Sequence, residues 1–110
     1  TGKLGAGVSV EGGQEAAKAC IINFLAQVSA ATGGNLDRVK RIVKINVFVN
    51  SAADFVDQPK VANGASDFLV SVFGDAGRHA RSAVGVASLP FGVAVEIDGI
   101  VEVEETSSSL

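Results

Sequence analysis

Apolar residues in this chain follow two periods. Ala17, Cys20, Ile21, Phe24, Leu25 and Val28 recur three or four positions apart, which predicts an amphipathic helix. Ser9 stands ahead of it as a candidate N-cap, and Glu11 and Glu15 bring negative charge to its first turn, where the helix dipole favours it. Gly33-Gly34 ends it, and Asn35-Leu36-Asp37 turns the chain. The run Arg41–Asn50 is then β-branched, with Val43, Ile45, Val47 and Val49 on one face at the period of a strand. After a loop over 51–59, Val61, Ala65, Phe68, Leu69, Val72 and Phe73 return to helical spacing, and Gly74-Asp75-Ala76-Gly77 closes that helix. The last third predicts two strands, 81–88 and 92–104, flanking Leu89-Pro90-Phe91-Gly92. In the second, Val93, Val95, Ile97, Val101 and Val103 share one face, and Glu96 and Asp98 share the other with Ala94 and Ile100.

Two helices and about three strands predict an α+β layer, with both helices on one face of an antiparallel or mixed sheet. Residues 1–105 read as a single domain and the Ser-rich 106–110 as a fraying tail. The small residues Ala83, Gly85 and Ala87, beside Arg81, are expected on the uncovered face. A bare face of that kind predicts self-association into a closed ring of identical subunits. If the two C-terminal strands pair directly around the Leu-Pro turn, Arg81 faces Ile100 and Glu96 faces Gly85, about 13 Å apart along the ladder.

Composition narrows the function. The chain has 110 residues and a net charge of -3, which offers no broad attraction to nucleic acid or anionic lipid. The basic residues Arg38, Lys40, Arg41 and Lys44 form a local, solvated cluster. No run of about 18 apolar residues suggests a membrane span, and no signal peptide is visible. The chain opens on Thr1 and has no Met, so a segment upstream is expected to be missing. The single Cys20 reads as a buried, inert thiol compatible with a reducing, cytoplasmic setting. One His and one Cys fall short of a protein zinc site, and no metal or cofactor is expected. Gly2, Gly5 and Gly7 make neither a dinucleotide nor a phosphate loop. His79 precedes Ser82 by three residues, but a strand would point the two apart, and His79 reads as a loop residue.

The segment Arg81-Ser-Ala-Val-Gly-Val-Ala-Ser-Leu-Pro90 carries the most chemistry. A permanently charged, forked guanidinium at the head of a strand, beside small residues, can receive a carboxylate. The competing reading is a surface arginine salt-bridged to a neighbour, and for Glu96 and Asp98 a solvated strand face. Ala80-Arg81-Ser82, Leu89-Pro90 and Val95-Glu96-Ile97, with the Val47-Phe48-Val49 strand core and the Asp54-Phe55 loop, together resemble the RidA (YjgF) family of imine/enamine deaminases. The resemblance runs from about Val8 to Glu104. It implies a chorismate-mutase-like fold and a homotrimer whose sheets form a central barrel, with a ligand pocket at each subunit interface. It further implies that Arg81 binds the substrate carboxylate, that Glu96 takes part in catalysis, and that Asn63 and the position of Ala83 belong to the ligand pocket. Many members have Cys where this chain has Ala83, and archetypal members have Pro where it has His79. Their N-terminal hairpin is expected to be missing here, since Thr1–Gly7 resembles only its end, and Gly12-Gly13-Gln14-Glu15 with Asn63-Gly64-Ala65-Ser66-Asp67 resembles a divergent branch of the family.

The leading expectation is hydrolysis of reactive 2-imino acids or their enamines to 2-oxo acids and ammonia. Arg81 would grip the carboxylate, and Glu96 would orient water or manage the proton on nitrogen. The alternative is a non-catalytic trimer that binds small carboxylate metabolites as a sensor or scaffold. A purely structural assembly domain is a third.

Overall fold

The computed structural model describes residues 2–34 and 36–103. Asn35 of the expected turn and the expected tail at 106–110 lie outside the described residues. Two short segments, β1 (Lys3–Leu4) and β2 (Gly7–Val8), open the chain. Helix α1 spans Val10–Ala31. Its start is the expected one: the Ser9 Oγ accepts the Gly12 N–H at 3.0 Å, satisfying an amide that has no partner inside the helix. Gly13, Ala17, Ile21 and Leu25 form its buried stripe. Thr32 caps the other end, its Oγ1 donating to the Val28 carbonyl at 3.0 Å. Gly33 and Gly34 then leave in left-handed conformation.

The long strand β3 (Val39–Asn50) follows, then α2 (Gln58–Phe73), β4 (Ala80–Val86) and β5 (Val95–Val103). The sheet order is β4-β3-β5. β4 runs parallel to β3 and β5 antiparallel to it, so the two C-terminal strands do not pair around the Leu-Pro turn. A β3–α2–β4 crossover carries the chain back over the sheet, as a parallel pair requires. Both helices cover one face, as expected. Ile42, Ile45, Val47 and Val49 of β3 are fully buried beneath them with Ile21, Val61 and Leu69. Irregular register between Ile42 and Lys44 turns Ile42 inward and leaves Val43 half-buried, where simple alternation put Val43 in the buried set.

The same register corrects the expected face of β4. Arg81, Ala83 and Gly85 pair with Ile45, Val47 and Val49, and residues opposite one another in a ladder project to the same side. They therefore lie on the helix side, not on the open face. A Cβ on Gly85 would come within 2.6 Å of the Gln58 Nε2 and 2.7 Å of the Ser51 Oγ. Ala87 lines the same cavity as Gly85. The open face carries Ser82, Val84 and Val86 instead, beside Asn46 and Phe48, with Glu96, Asp98 and Ile100 on β5. Asn46 donates to the Asp98 carboxylate at 2.7 Å across that face. Ala94, expected beside Glu96, precedes the strand and is buried. Among the described residues, no helix is long and apolar enough to cross a membrane.

Candidate functional site

Arg81 is the second residue of β4, and its side chain passes beneath α2. Nη1 donates to the Asn63 Oδ1 at 2.8 Å and to the Ser66 Oγ at 3.0 Å, and Nη2 donates to the Pro59 carbonyl at 3.1 Å. Asn63 and Ser66 stand three apart on α2, so one helix face presents both to the same guanidinium. Pro59 lies in the first turn of α2, and it sends its carbonyl to Arg81. Every one of these partners is neutral. The ion pairs among the described residues are Arg41–Glu102, Lys60–Asp57 and Arg78–Asp75, and none involves Arg81. The expected alternative, an arginine paired with a neighbouring carboxylate, is not what the described residues show. Arg81 is a positioned cation without a counter-ion among the described residues.

A cavity of about 240 Å³ opens beside it, lined by Ser66, Val70, Arg78, His79 and Arg81. His79 does not turn to Ser82. Its Nδ1 lies 2.5 Å from the Gly77 carbonyl and its Nε2 2.9 Å from the Ser66 Oγ. Ser66 was not legible as a site residue, since its partner lies 13 positions away in sequence. Its spacing from Asn63 on one helix was the available signal. A larger cavity, about 550 Å³, lies along the same side of β4 and is lined by Lys3, Ser51, Phe55, Gln58, Gly85 and Ala87 among others. Lys3 donates there to the Asn50 Oδ1 at 2.9 Å and to the Ala87 carbonyl.

Asn63 thus meets Arg81 directly, and Ala83 stands two residues along the same face. Glu96 does not join them within one chain. It pairs with Phe48, while Arg81 pairs with Ile45 and through it aligns with Gly99. Two strand spacings and three residues separate them, roughly 14 Å between backbones, and their side chains project to opposite sides of the sheet. Glu96 is exposed at the far sheet edge, lining a cavity with Cys20, Asn23 and Gln27 of α1. Burial pushes the Cys20 thiol up, and the nearby Glu96 charge adds to the effect. The thiol donates to the Val95 carbonyl at 3.2 Å. Cys20 is half-buried rather than fully buried as expected, and its raised thiol holds less of the reactive thiolate.

Residues 1–98 match the family described as "YjgF/chorismate mutase-like, putative endoribonuclease". The chain belongs to this family. Protein TCP17 of Trypanosoma cruzi is 61% identical over 103 residues, which are 93% of this chain and 64% of that protein. A 2-iminobutanoate/2-iminopropanoate deaminase of Dermatophagoides farinae is 37% identical over 67 residues, 61% of this chain and 46% of the deaminase. The chain therefore spans less than two thirds of the length of these curated relatives. Among solved structures, the protein Atu1372 of Agrobacterium tumefaciens, of unknown function, superposes with a TM-score of 0.94 at 52% identity, covering 94% of this chain and 67% of that one. A "putative endoribonuclease" of Shewanella oneidensis superposes at 0.83 with 33% identity, covering 87% and 63%. The chorismate-mutase-like α+β fold expected from the sequence is the fold of this YjgF-family chain.

Proposed function

We propose that this YjgF-family chain hydrolyses 2-imino acids, or their enamine tautomers, to 2-oxo acids and ammonia. The observation that carries this reading is the Arg81 guanidinium, fixed by three neutral acceptors and left without a counter-ion among the described residues. Those bonds use both Nη1 hydrogens and one on Nη2. Nε and the second Nη2 hydrogen remain for a carboxylate, which Arg recognises through paired N–H donors. The imine carbon is already electrophilic, so no covalent nucleophile is needed, and orientation against water supplies the rate. The named deaminase relative supports this choice of substrate.

Glu96 enters the reaction in this reading from a neighbouring subunit. β4 and β5 are opposite edges of a three-stranded sheet, and open edges invite pairing or cover. A ring of three chains that lays the β4 edge of one beside the open face of the next, where Glu96 stands exposed, brings Arg81 toward the neighbour's copy of Glu96. There the carboxylate would orient the attacking water or the protonated imine nitrogen.

The separation of Glu96 from Arg81 within one chain favours a second reading, a module that binds small carboxylates without turnover. Freshly generated 2-iminopropanoate, with the unreacted imine trapped by semicarbazide, distinguishes the two. The deaminase reading expects accelerated loss of imine and formation of pyruvate, abolished in Arg81→Ala. Pyruvate binding without any acceleration would establish the binder. Arg81→Lys keeps the charge and loses the fork, and is expected to weaken pyruvate binding by about 1–3 kcal/mol in calorimetry. Unchanged affinity in Arg81→Ala would remove Arg81 as the receptor.

A further inference from the structure

The sequence pointed to Glu96 as the proton handler for Arg81, but within one chain Glu96 is on the other side of the sheet. Another titratable group is already in place. The Gly77 carbonyl can only accept, so the contact at 2.5 Å puts a proton on the His79 Nδ1. In the neutral ring Nε2 is then an acceptor, and the Ser66 hydroxyl donates to it across 2.9 Å. The Ser66 Oγ in turn accepts from the Arg81 Nη1 at 3.0 Å. The order is Arg81 N–H to Ser66 Oγ, Ser66 O–H to His79 Nε2, and His79 Nδ1–H to the Gly77 carbonyl. An orienting carbonyl, a base and a hydroxyl in line make the arrangement sought around a catalytic base. Ser66, His79 and Arg81 line one cavity of about 240 Å³, so the hydroxyl and the guanidinium face the same space.

We propose that Ser66 and His79 form the proton relay of the Arg81 site, an inference that rests on the deaminase reading. The substrate carboxylate sits on Arg81. Water attacks the iminium carbon, a C–O bond forms, and the C=N π pair moves onto nitrogen. The water gives a proton to the Ser66 Oγ while the proton of Ser66 moves to the His79 Nε2. The relay then runs backwards and protonates the carbinolamine nitrogen. The C–N bond breaks with its electron pair on nitrogen, ammonia leaves, and the remaining hydroxyl loses its proton to solvent as the carbonyl forms. Protonated His79 cannot accept from Ser66, so the relay works only while the ring is neutral. Other charges around the ring are Arg81 on β4 and Arg78 on its own connector, the latter paired with Asp75 at 3.2 Å. α2 brings the uncharged Ser66 and Val70 to the cavity, and its Asp67 is exposed.

The test is the pH profile of kcat/KM on 2-iminopropanoate for the purified protein, His79→Gln, Ser66→Ala, Ser66→Thr and Glu96→Gln, with circular dichroism and pyruvate affinity recorded for each. Gln at 79 can offer an acceptor to Ser66 but does not titrate. The proposal expects an acid limb in the unsubstituted protein that disappears in His79→Gln. A rate loss of about 10²-fold near neutral pH should accompany it, with pyruvate affinity within about twofold of the original. Ser66→Ala should behave likewise, Ser66→Thr should recover part of that loss, and the low residual rate of Glu96→Gln should keep the acid limb. If His79→Gln keeps the original limb and rate, the relay is overturned while the deaminase reading stands. If His79→Gln misfolds, Ser66→Ala decides, and full activity there overturns the relay. If the unsubstituted protein shows no turnover, relay and deaminase reading fall together.

Discussion

Arg81 shows what one residue's surroundings add to its identity. A strand-head arginine beside small residues was legible as an anion receptor, and Asn63 was legible through resemblance. What sequence could not supply was the absence of a counter-ion among the described residues, because ion pairs form between elements distant in the chain. Ser66 escaped for the same reason: its value comes from His79 and Arg81, both brought to it by folding. Phe91 presents the opposite case, a residue whose local state conflicts with its type. It holds φ at 58° in the turn before β5 and is 97% exposed. Left-handed backbone costs a side-chain-bearing residue about 1–2 kcal/mol. Phe91→Gly removes that strain and an exposed ring, and should leave urea unfolding of the isolated chain unchanged or shift it to higher denaturant. Cys20 gives a prediction in pH. Its folded thiol titrates above the ordinary value because of burial and then Glu96. Its stabilising contribution is thus complete below the unfolded thiol's pKa and lost as pH rises through the folded one. Cys20→Ala should flatten the alkaline fall in stability, read by thermal unfolding between neutral pH and about pH 10.

At the level of elements, helix positions and ends were readable because their causes are local. Ser9, Gly33-Gly34 and the apolar stripe act within a few residues of themselves. Strand neighbours were not readable, since periodicity says that a strand has a buried face without naming its partner. Placing β3 between β4 and β5 moved Ala83 and Gly85 from the open face to the helix side. A charge at Gly85 would now meet the protomer's own Gln58 and Ser51 side chains rather than the open sheet face. Helix packing rests on a similar close approach. Gly64 of α2 lies so near α1 that a Cβ would stand 2.2 Å from the Gln14 carbonyl oxygen. Ala normally gains up to about 1 kcal/mol over Gly inside a helix. Here the obstacle is backbone, which cannot rotate aside, so overpacking of about 1–3 kcal/mol should win. Gly64→Ala is expected to lower the urea midpoint, whereas a midpoint raised by the substitution would mean that the helices can separate without cost.

The whole molecule raises the question of where a site can be assembled. Arg81 and Glu96 occupy opposite edges of one sheet and opposite faces of it, so a single chain cannot bring them to one small ligand. The family resemblance nevertheless implies a role for both. An interface between the β4 edge of one chain and the open face of the next reconciles the two, and it makes a statement about mixtures. Arg81→Ala and Glu96→Gln chains should each be nearly inactive as homotrimers. If random mixing forms closed trimers, an interface with a Glu96→Gln chain giving its intact Arg81 and an Arg81→Ala chain giving its intact Glu96 arises in about one quarter of sites. Unfolding and refolding the two variants together should therefore restore about a quarter of the original turnover. Sites built within single chains would remain dead in any mixture. Light scattering at micromolar concentration should first give a mass of three chains of 11.1 kDa. A Glu96→Gln trimer that keeps full turnover by itself would confine the chemistry to one chain, leaving Arg81 with Ser66 and His79 to carry it. A folded monomer would remove the interface, and with it the place proposed for Glu96.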